Sequence, residues 1–120
     1  MALHSPLNQG DTVLIPFPFA DLSGSKVRPA IVVSANPQSA ELILAFITSV
    51  LTNRSARGAE VELLRNDPEF KSSGLKVDSL IRLDKLVTLS NSLISRRLGK
   101  LGPATKVKVA AMLRVAFGLQ

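Results

Sequence analysis

The first strand signal is an alternation of apolar side chains near the start of the chain. Val13, Ile15 and Phe17 fall on one face of residues 12–17, which is the period expected of a half-buried strand. Two prolines follow at its end, and proline cannot donate to the hydrogen-bond ladder of a sheet. We therefore expect this strand at an edge, at an end or beside a bulge.

Three further segments carry strand patterns. Residues 29–34 are rich in β-branched side chains, and residues 41–49 are apolar on both faces, which predicts a central strand. Residues 59–64 alternate between an apolar inner face and the outward carboxylates of Glu60 and Glu62. These two carboxylates are interpreted as solvated groups on a half-buried strand.

The connections between these strands have the composition of turns. Asn36–Ser39 and Asn66–Glu69 are rich in turn-forming residues, and one helical turn is compatible with the second. Residues 52–58 are polar and end in glycine, as an exposed loop does. Residues 77–89 then supply one or two more strands around Ile81, Leu83, Val87 and Leu89.

The C-terminal segment predicts a helix. Pro103 suits the first helical position and Gly118 suits the C-terminal cap. The apolar side chains recur at helical spacing and are expected to form a core face: Val109, Met112, Leu113, Ala116 and Phe117. A helix of about four turns that closes one end of a small, strongly curved sheet is the economical packing. With no internal repeat and no linker, residues 1–120 are expected to form a single domain.

Composition narrows the class of protein. A chain of 120 residues that is 46% hydrophobic is long enough for one folded core. Its apolar runs are far shorter than the roughly 20 residues of a membrane span, so no membrane association is expected. No basic segment followed by an apolar stretch opens the chain, which favours a cytoplasmic location. The absence of cysteine excludes disulfides, thiolate metal sites and cysteine nucleophiles.

Positive charge is concentrated towards the C-terminus. The chain has 15 Lys and Arg against 9 Asp and Glu, and no acidic residue follows Asp84. Such a segment suits a polyphosphate or an acidic protein partner, and a basic solubilising surface is the alternative. Because Trp and Tyr are absent, nucleic-acid binding would rest on charge and hydrogen bonds.

Few residues are available for catalysis. His4 is the only histidine and lies in a polar N-terminal stretch, which argues against a histidine-based triad or a zinc site. Arg28 precedes Pro29 and is expected to open a strand, where a fixed guanidinium can bind an anion. The alternative is that Arg28 is a surface residue that pairs with Asp11 or Asp21. Arginine and hydroxyl groups suit cleavage of RNA, where the ribose 2′-hydroxyl is the nucleophile.

Several blocks of the sequence resemble the MazF/PemK toxins, the ribonuclease halves of type II toxin–antitoxin pairs. The blocks are Gly10-Asp11 through Pro16-Phe17, the Ser-Gly-Ser loop, Arg28-Pro29 through Ser34, Phe46-Ile47-Thr48-Ser49 and Asp78 through Lys85. The resemblance implies a mainly β fold, a compact SH3-like β-barrel of the CcdB/PemK type with a C-terminal α-helix, and a homodimer. It also implies cleavage of single-stranded RNA without a metal or other cofactor, leaving 2′,3′-cyclic phosphate and 5′-hydroxyl ends.

The resemblance also assigns residues to roles. Arg28 is expected to stabilise the pentacoordinate phosphorane and to donate a proton to the leaving 5′-oxygen, and Thr48 to hydrogen-bond the scissile phosphate. RNA contacts are assigned to Phe19, Ser25, Lys26, Ser49, Asp78, Ser79 and Arg82. The partner implied is an antitoxin with an acidic, disordered segment that folds onto the basic groove.

One position departs from the family pattern. Several relatives carry a glutamate after the Gly-Ser of the loop, whereas this chain has Lys26 and Val27 after Ser25. Asp21 and Asp78 are the candidates that remain for the general base, and the sequence does not choose between them. Two other functions stay open at this point: a CcdB-like toxin that poisons gyrase, and an RNA-binding barrel without catalysis.

Overall fold

A single antiparallel sheet and two helices make up the part of the chain that the structure describes. The structure is a computed structural model, and it describes residues 6–16, 26–50 and 56–119. The strands are β1 (Asp11–Pro16), β2 (Val27–Ala35), β3 (Glu41–Ser49), β4 (Glu60–Leu63), β5 (Ser79–Ser90) and β6 (Arg96–Lys100). The helices are α1 (Phe70–Ser73) and α2 (Pro103–Phe117), and a 3-10 turn spans Asn91–Leu93. No helix among these residues is long and apolar enough to cross a membrane.

The sheet has the strand order β4-β5-β3-β2-β1-β6, so β3 is central, as its two apolar faces predicted. Three of the strand pairings shift register, between Thr12 and Val13, between Val32 and Ser34, and between Ala45 and Phe46. Bulges of this kind bend a strand and increase its twist. The sheet therefore curls into a half-barrel, which confirms the predicted mainly β barrel class with a C-terminal helix.

Both faces of the central strands are buried. On one face, Ile31, Ala45 and Ile47 pack with side chains of β4 and β5 beneath α2, which contributes Val109. On the other face, Val32 and Leu44 pack with side chains of β1 and with buried residue Ile94. This double burial explains why β3 lacks a polar face.

Strand β6 was not predicted. Its sequence, Arg-Arg-Leu-Gly-Lys, holds one apolar residue and therefore carries no alternation. It forms because β1 offers a free edge, along which Leu14 pairs with Arg96 and Asp11 with Lys100. β5 is one long strand where one or two were predicted, and α1 directly follows the Asn66–Glu69 turn.

Helix α2 begins and ends as predicted, with Pro103 in its first turn and Gly118 as a left-handed cap at φ 67°. The predicted core face is correct for Val109, which is buried, and for Met112 and Leu113, which pack against the same cluster. It is wrong for Ala116 and Phe117, because the last turn of α2 is exposed and Phe117 is 60% accessible.

Two glycines allow α1 and β6 to touch through their backbones. A Cβ atom added at Gly99 would lie 2.2 Å from the Ser72 carbonyl oxygen, and one at Gly74 would lie 2.2 Å from the Leu98 carbonyl oxygen. Gly74 also has a φ of 74°, a conformation that glycine adopts at little cost. This close contact fixes residues 74–79 beside β6, where they form one wall of the groove described next.

Candidate nucleic-acid interface

A groove of about 900 Å³ opens where β1 ends, β2 begins and β3 ends. Residues 74–79 form one wall, and side chains of β5 and β6 complete it. The described residues that line it are Leu14, Arg28, Pro29, Phe46, Ile47, Thr48, Ser49, Gly74, Leu75, Lys76, Val77, Ser79, Arg82, Lys85, Arg96 and Leu98. The segment between β1 and β2 that contains Phe19 and Ser25 lies outside the described residues.

The two residues assigned to catalysis line the same groove. Strands β2 and β3 are antiparallel, and their paired register ends with Ala30 opposite Phe46; Arg28 and Thr48 each lie two residues beyond that pair. Because side chains alternate across a strand, Arg28 and Thr48 project from the face that carries Ala30 and Phe46. Both are exposed to solvent. A guanidinium and a hydroxyl thus line one groove from adjacent strands.

The described lining carries positive charge without a balancing acid. Five of its side chains are cations, namely Arg28, Lys76, Arg82, Lys85 and Arg96, and none is a carboxylate or an imidazole. A concave surface of one sign concentrates counter-ions of the other sign. The groove therefore suits a polyanion.

Arg82 is held from behind by an acid that the sequence placed wrongly. Glu60 was predicted to point into solvent, yet its side chain is 4% exposed and its Oε2 lies 3.3 Å from Nε of Arg82. Asp84 lies at the edge of the same guanidinium, 3.9 Å from Nε. The prediction failed because Glu60 lies directly opposite Arg82 where β4 pairs with β5. The alternation of side chains within one strand does not reveal such a contact between strands.

The other predicted RNA contacts differ in their placement. Ser49 lines the groove and is exposed, whereas Ser79 lines it but is buried and donates its hydroxyl to the Val77 carbonyl at 2.7 Å. Lys26 is exposed immediately before β2. The Asp78 carboxylate is not among the described lining residues, and it accepts the backbone N–H of Arg65 at 2.7 Å.

Asp11, considered from the sequence as a partner of Arg28, is engaged elsewhere. Its carboxylate lies 3.1 Å from Nη2 of Arg97 and accepts the backbone N–H of Asn8 at 2.9 Å. Arg97 also donates to the Pro6 carbonyl at 2.7 Å. This cluster ties the start of the described chain to β6.

Sequence reasoning did not assign Lys76, Lys85 and Arg96 to the site. Lys85 and Arg96 belong to the acid-free basic segment, so charge patterning was the available signal for them. Lys76 lies before Asp84, outside that basic segment, and its surroundings have no helix or strand pattern. Only the packing of α1 against β6 brings it to the groove.

The fold and the groove define a small, partly closed β-barrel with a terminal helix and a cationic cleft at the strand ends. A family model of PemK-like, MazF-like toxins of type II toxin–antitoxin systems matches residues 8–117. The chain belongs to this family.

Solved structures share the fold of this chain. An endoribonuclease in complex with its cognate antitoxin from a mycobacterial species is 24% identical, with a TM-score of 0.71 over 97% of this chain and 98% of that one. The Mycobacterium tuberculosis toxin MazF-mt6 is 18% identical, with a TM-score of 0.68 over 93% and 99%. A MazE-MazF crystal structure from Deinococcus radiodurans is 18% identical, with a TM-score of 0.65 over 96% and 97%. A search of curated proteins found no match. At these identities the structures establish the shared fold.

Proposed function

We propose that this protein is an endoribonuclease toxin that cleaves single-stranded RNA by attack of the ribose 2′-hydroxyl, without a metal ion. The observation that carries the proposal is that Arg28 and Thr48 line one groove, whose described lining holds five cations and no carboxylate. Family membership and the endoribonuclease among the structural neighbours point to the same activity.

Arg28 has the chemistry for the principal catalytic role. Attack of the 2′-oxygen on phosphorus builds negative charge on the equatorial oxygens, and a guanidinium already in place stabilises that charge without reorganisation. Its planar fork can bind two of these oxygens at once. We assign Arg28 also to protonation of the departing 5′-oxygen. The products are a 2′,3′-cyclic phosphate and a 5′-hydroxyl.

Thr48 is the second catalytic residue of the proposal. Its hydroxyl, in the same groove as Arg28 and on the neighbouring strand, donates to a non-bridging oxygen of the scissile phosphate. One hydroxyl and two cations nearby extend the RNA path along the groove: Ser49, Lys76 and Arg82.

The acceptor of the 2′-hydroxyl proton lies outside the described lining in this proposal. The Asp78 carboxylate is occupied by Arg65, whose Nε is 3.5 Å away in addition to the backbone hydrogen bond. Asp21 is the remaining carboxylate that the sequence offers near Arg28, and it falls outside the described residues. We therefore favour Asp21 over Asp78 as the general base.

Arg28→Ala tests the proposal. We expect the wild-type protein to cleave a single-stranded RNA in the presence of EDTA. Arg28→Ala should lower this activity by about a hundredfold or more, because the negative charge of the transition state loses its main stabilising group. Arg114→Ala is the matched control, since Arg114 is exposed on α2 and does not line the groove. Thermal unfolding followed by circular dichroism establishes that each variant is folded.

Three other results would contradict the proposed function or favour a different one. Full activity of folded Arg28→Ala contradicts the assigned role. RNA binding without cleavage by the wild type indicates a non-catalytic barrel, and gyrase-dependent DNA breaks with intact RNA indicate a gyrase poison.

We infer that the partners are an acidic antitoxin and a second copy of this chain. The cationic groove offers an acidic peptide the same charges as RNA, and solved relatives include an endoribonuclease with its cognate antitoxin and a MazE-MazF structure. An acidic antitoxin segment should therefore compete with RNA, and light scattering should give the mass of a dimer. The proposed substrate places the protein in the cytoplasm.

A further inference from the structure

Glu60 and Arg82 form a charge pair at the back of the groove. They are directly opposite each other in the β4–β5 ladder, with Glu60 Oε2 3.3 Å from Arg82 Nε. The Glu60 side chain is 4% exposed and that of Arg82 is 29% exposed. The acid is thus buried behind a cation that reaches the groove.

The Glu60 carboxylate is itself held in place. Its other oxygen, Oε1, accepts the backbone N–H of Arg57 at 3.0 Å. With Oε1 held by this hydrogen bond and Oε2 in the ion pair with Arg82, the carboxylate has little freedom to turn, so it fixes a negative charge beside Nε of the Arg82 guanidinium. The orientation of that guanidinium in the groove follows from Glu60.

Stability alone is a weak reason for such a pair. Removing two charges from water costs several kcal/mol per ion, and apolar pairs of similar size are often as stable. An arginine that must present one face to a ligand, by contrast, benefits from a fixed counter-ion on the other side. Arg82 lines the groove, and this location favours the second reason.

Arg82 stands apart from the catalytic pair on the same face of the sheet. It is opposite Phe46 of β3, which lies two residues before Thr48, and it is two strands away from β2. Strand spacing and rise per residue put the backbones of Arg82 and Arg28 about 12 Å apart. The two guanidinium groups therefore have different places along a bound strand.

We propose that Glu60 is a positioning residue that holds Arg82 for binding an RNA phosphate other than the scissile one. This inference rests on the proposed function, since it names a second phosphate contact of the same groove. It predicts that loss of Glu60 weakens substrate binding while the chemical step at Arg28 and Thr48 proceeds.

Glu62 provides a matched control. It lies on the same strand and the same face, opposite Leu80, and its Oε2 accepts the backbone N–H of Ala56 at 3.1 Å. Glu60→Gln and Glu62→Gln therefore remove the same charge and perturb a similar backbone hydrogen bond. Only Glu60→Gln releases Arg82.

The experiment measures kcat and KM for a single-stranded RNA with one cut site. We expect Glu60→Gln to raise KM about tenfold, because the ion pair that orients Arg82 is lost, and kcat to stay within about twofold. Glu62→Gln should leave KM within about twofold. In an Arg82→Gln background, Glu60→Gln should cause no further change, because residues that act as one unit are not additive.

Equal KM values for Glu60→Gln and Glu62→Gln overturn the inference, as do additive effects of Glu60→Gln and Arg82→Gln. If the wild type does not cleave RNA, the proposed function fails, and the Kd of the same RNA for these variants still decides the role of Glu60. If Glu60→Gln does not fold, the exchange Glu60→Arg with Arg82→Glu restores the ion pair while moving the cation to β4. We expect that folded double variant to keep a raised KM, and a wild-type KM would overturn the inference.

Discussion

Gly99 is the residue on which the wall of the groove depends most directly. Its Cα faces the last turn of α1, and a methyl group there would meet the Ser72 carbonyl oxygen at 2.2 Å and the Ser73 carbonyl carbon at 2.8 Å. The Ser73 carbonyl also accepts the hydroxyl of buried Thr12 from β1. A side chain at this position would push α1 away from both strands.

Gly99→Ala is therefore expected to destabilise the protein by about 1–3 kcal/mol, the usual cost of forcing extra volume into a packed site. Urea unfolding of the wild type and the variant measures the difference directly. An unchanged free energy of unfolding would show that α1 and β6 can separate without cost.

At the residue scale, the sequence identifies groups that stand in a local motif. Arg28 and Thr48 stand in recognisable blocks and line the same groove. Glu60 was misplaced, because its burial depends on Arg82 across a strand pair 22 positions away in the chain. Alternation describes which face a side chain takes, but it does not show what covers that face.

The N-terminus of α2 is capped by a side chain from outside the helix. Glu69 accepts the hydroxyl and the backbone N–H of Thr105, at 2.6 Å and 2.7 Å, and the backbone N–H of Ala104 at 3.0 Å. These hydrogen bonds, that from the Thr105 hydroxyl first, lower the pKa of the Glu69 carboxyl below its ordinary value of 4.5. The cap joins α2 to the turn before α1.

The lowered pKa predicts a pH-dependent cap. Glu69 stabilises the fold when ionised, so its contribution is complete above about pH 4.5 and is lost as the pH falls through the lower folded pKa. We expect Glu69→Gln to lower Tm at pH 7, and the difference from the wild type to shrink below pH 4.5. Thermal unfolding between pH 7 and pH 3 measures this.

Glu41→Gln is the control for this measurement. Glu41 is exposed on β3, and its carboxylate accepts no hydrogen bond from the described residues. A Tm difference for Glu69→Gln that stays constant with pH would contradict the ionised cap.

At the element scale, predictability follows the strength of the hydrophobic pattern. β3 was predicted with its observed bounds because residues 42–47 form an unbroken apolar run, and α2 because proline and glycine mark its ends. β6 was missed because it is polar. An edge strand can form without apolar side chains, since it pairs through its backbone, here with β1. The exposed last turn of α2 was missed because helical spacing carries no information about where the sheet ends.

For the whole molecule, charge indicated a polyanion but did not locate the site. The net charge of +6 and the acid-free C-terminal segment predicted the kind of partner. The groove itself combines β1, β2, β3, β5, β6 and the segment after α1, and this assembly exists only in the folded chain. The sequence therefore predicted the fold and indicated Arg28, Thr48 and Arg82, which line the groove, while Lys76, Lys85 and Arg96 emerged from the structure.

Cleavage of an RNA with a single 2′-deoxy substitution tests the central claim most directly. The substitution is placed at the nucleotide whose 2′-hydroxyl would attack, and the unmodified RNA of the same sequence is the control. We expect the modified strand to remain intact while the control is cut to a 2′,3′-cyclic phosphate end, because the substrate itself supplies the nucleophile. Cleavage of the 2′-deoxy strand at the same bond would contradict the account.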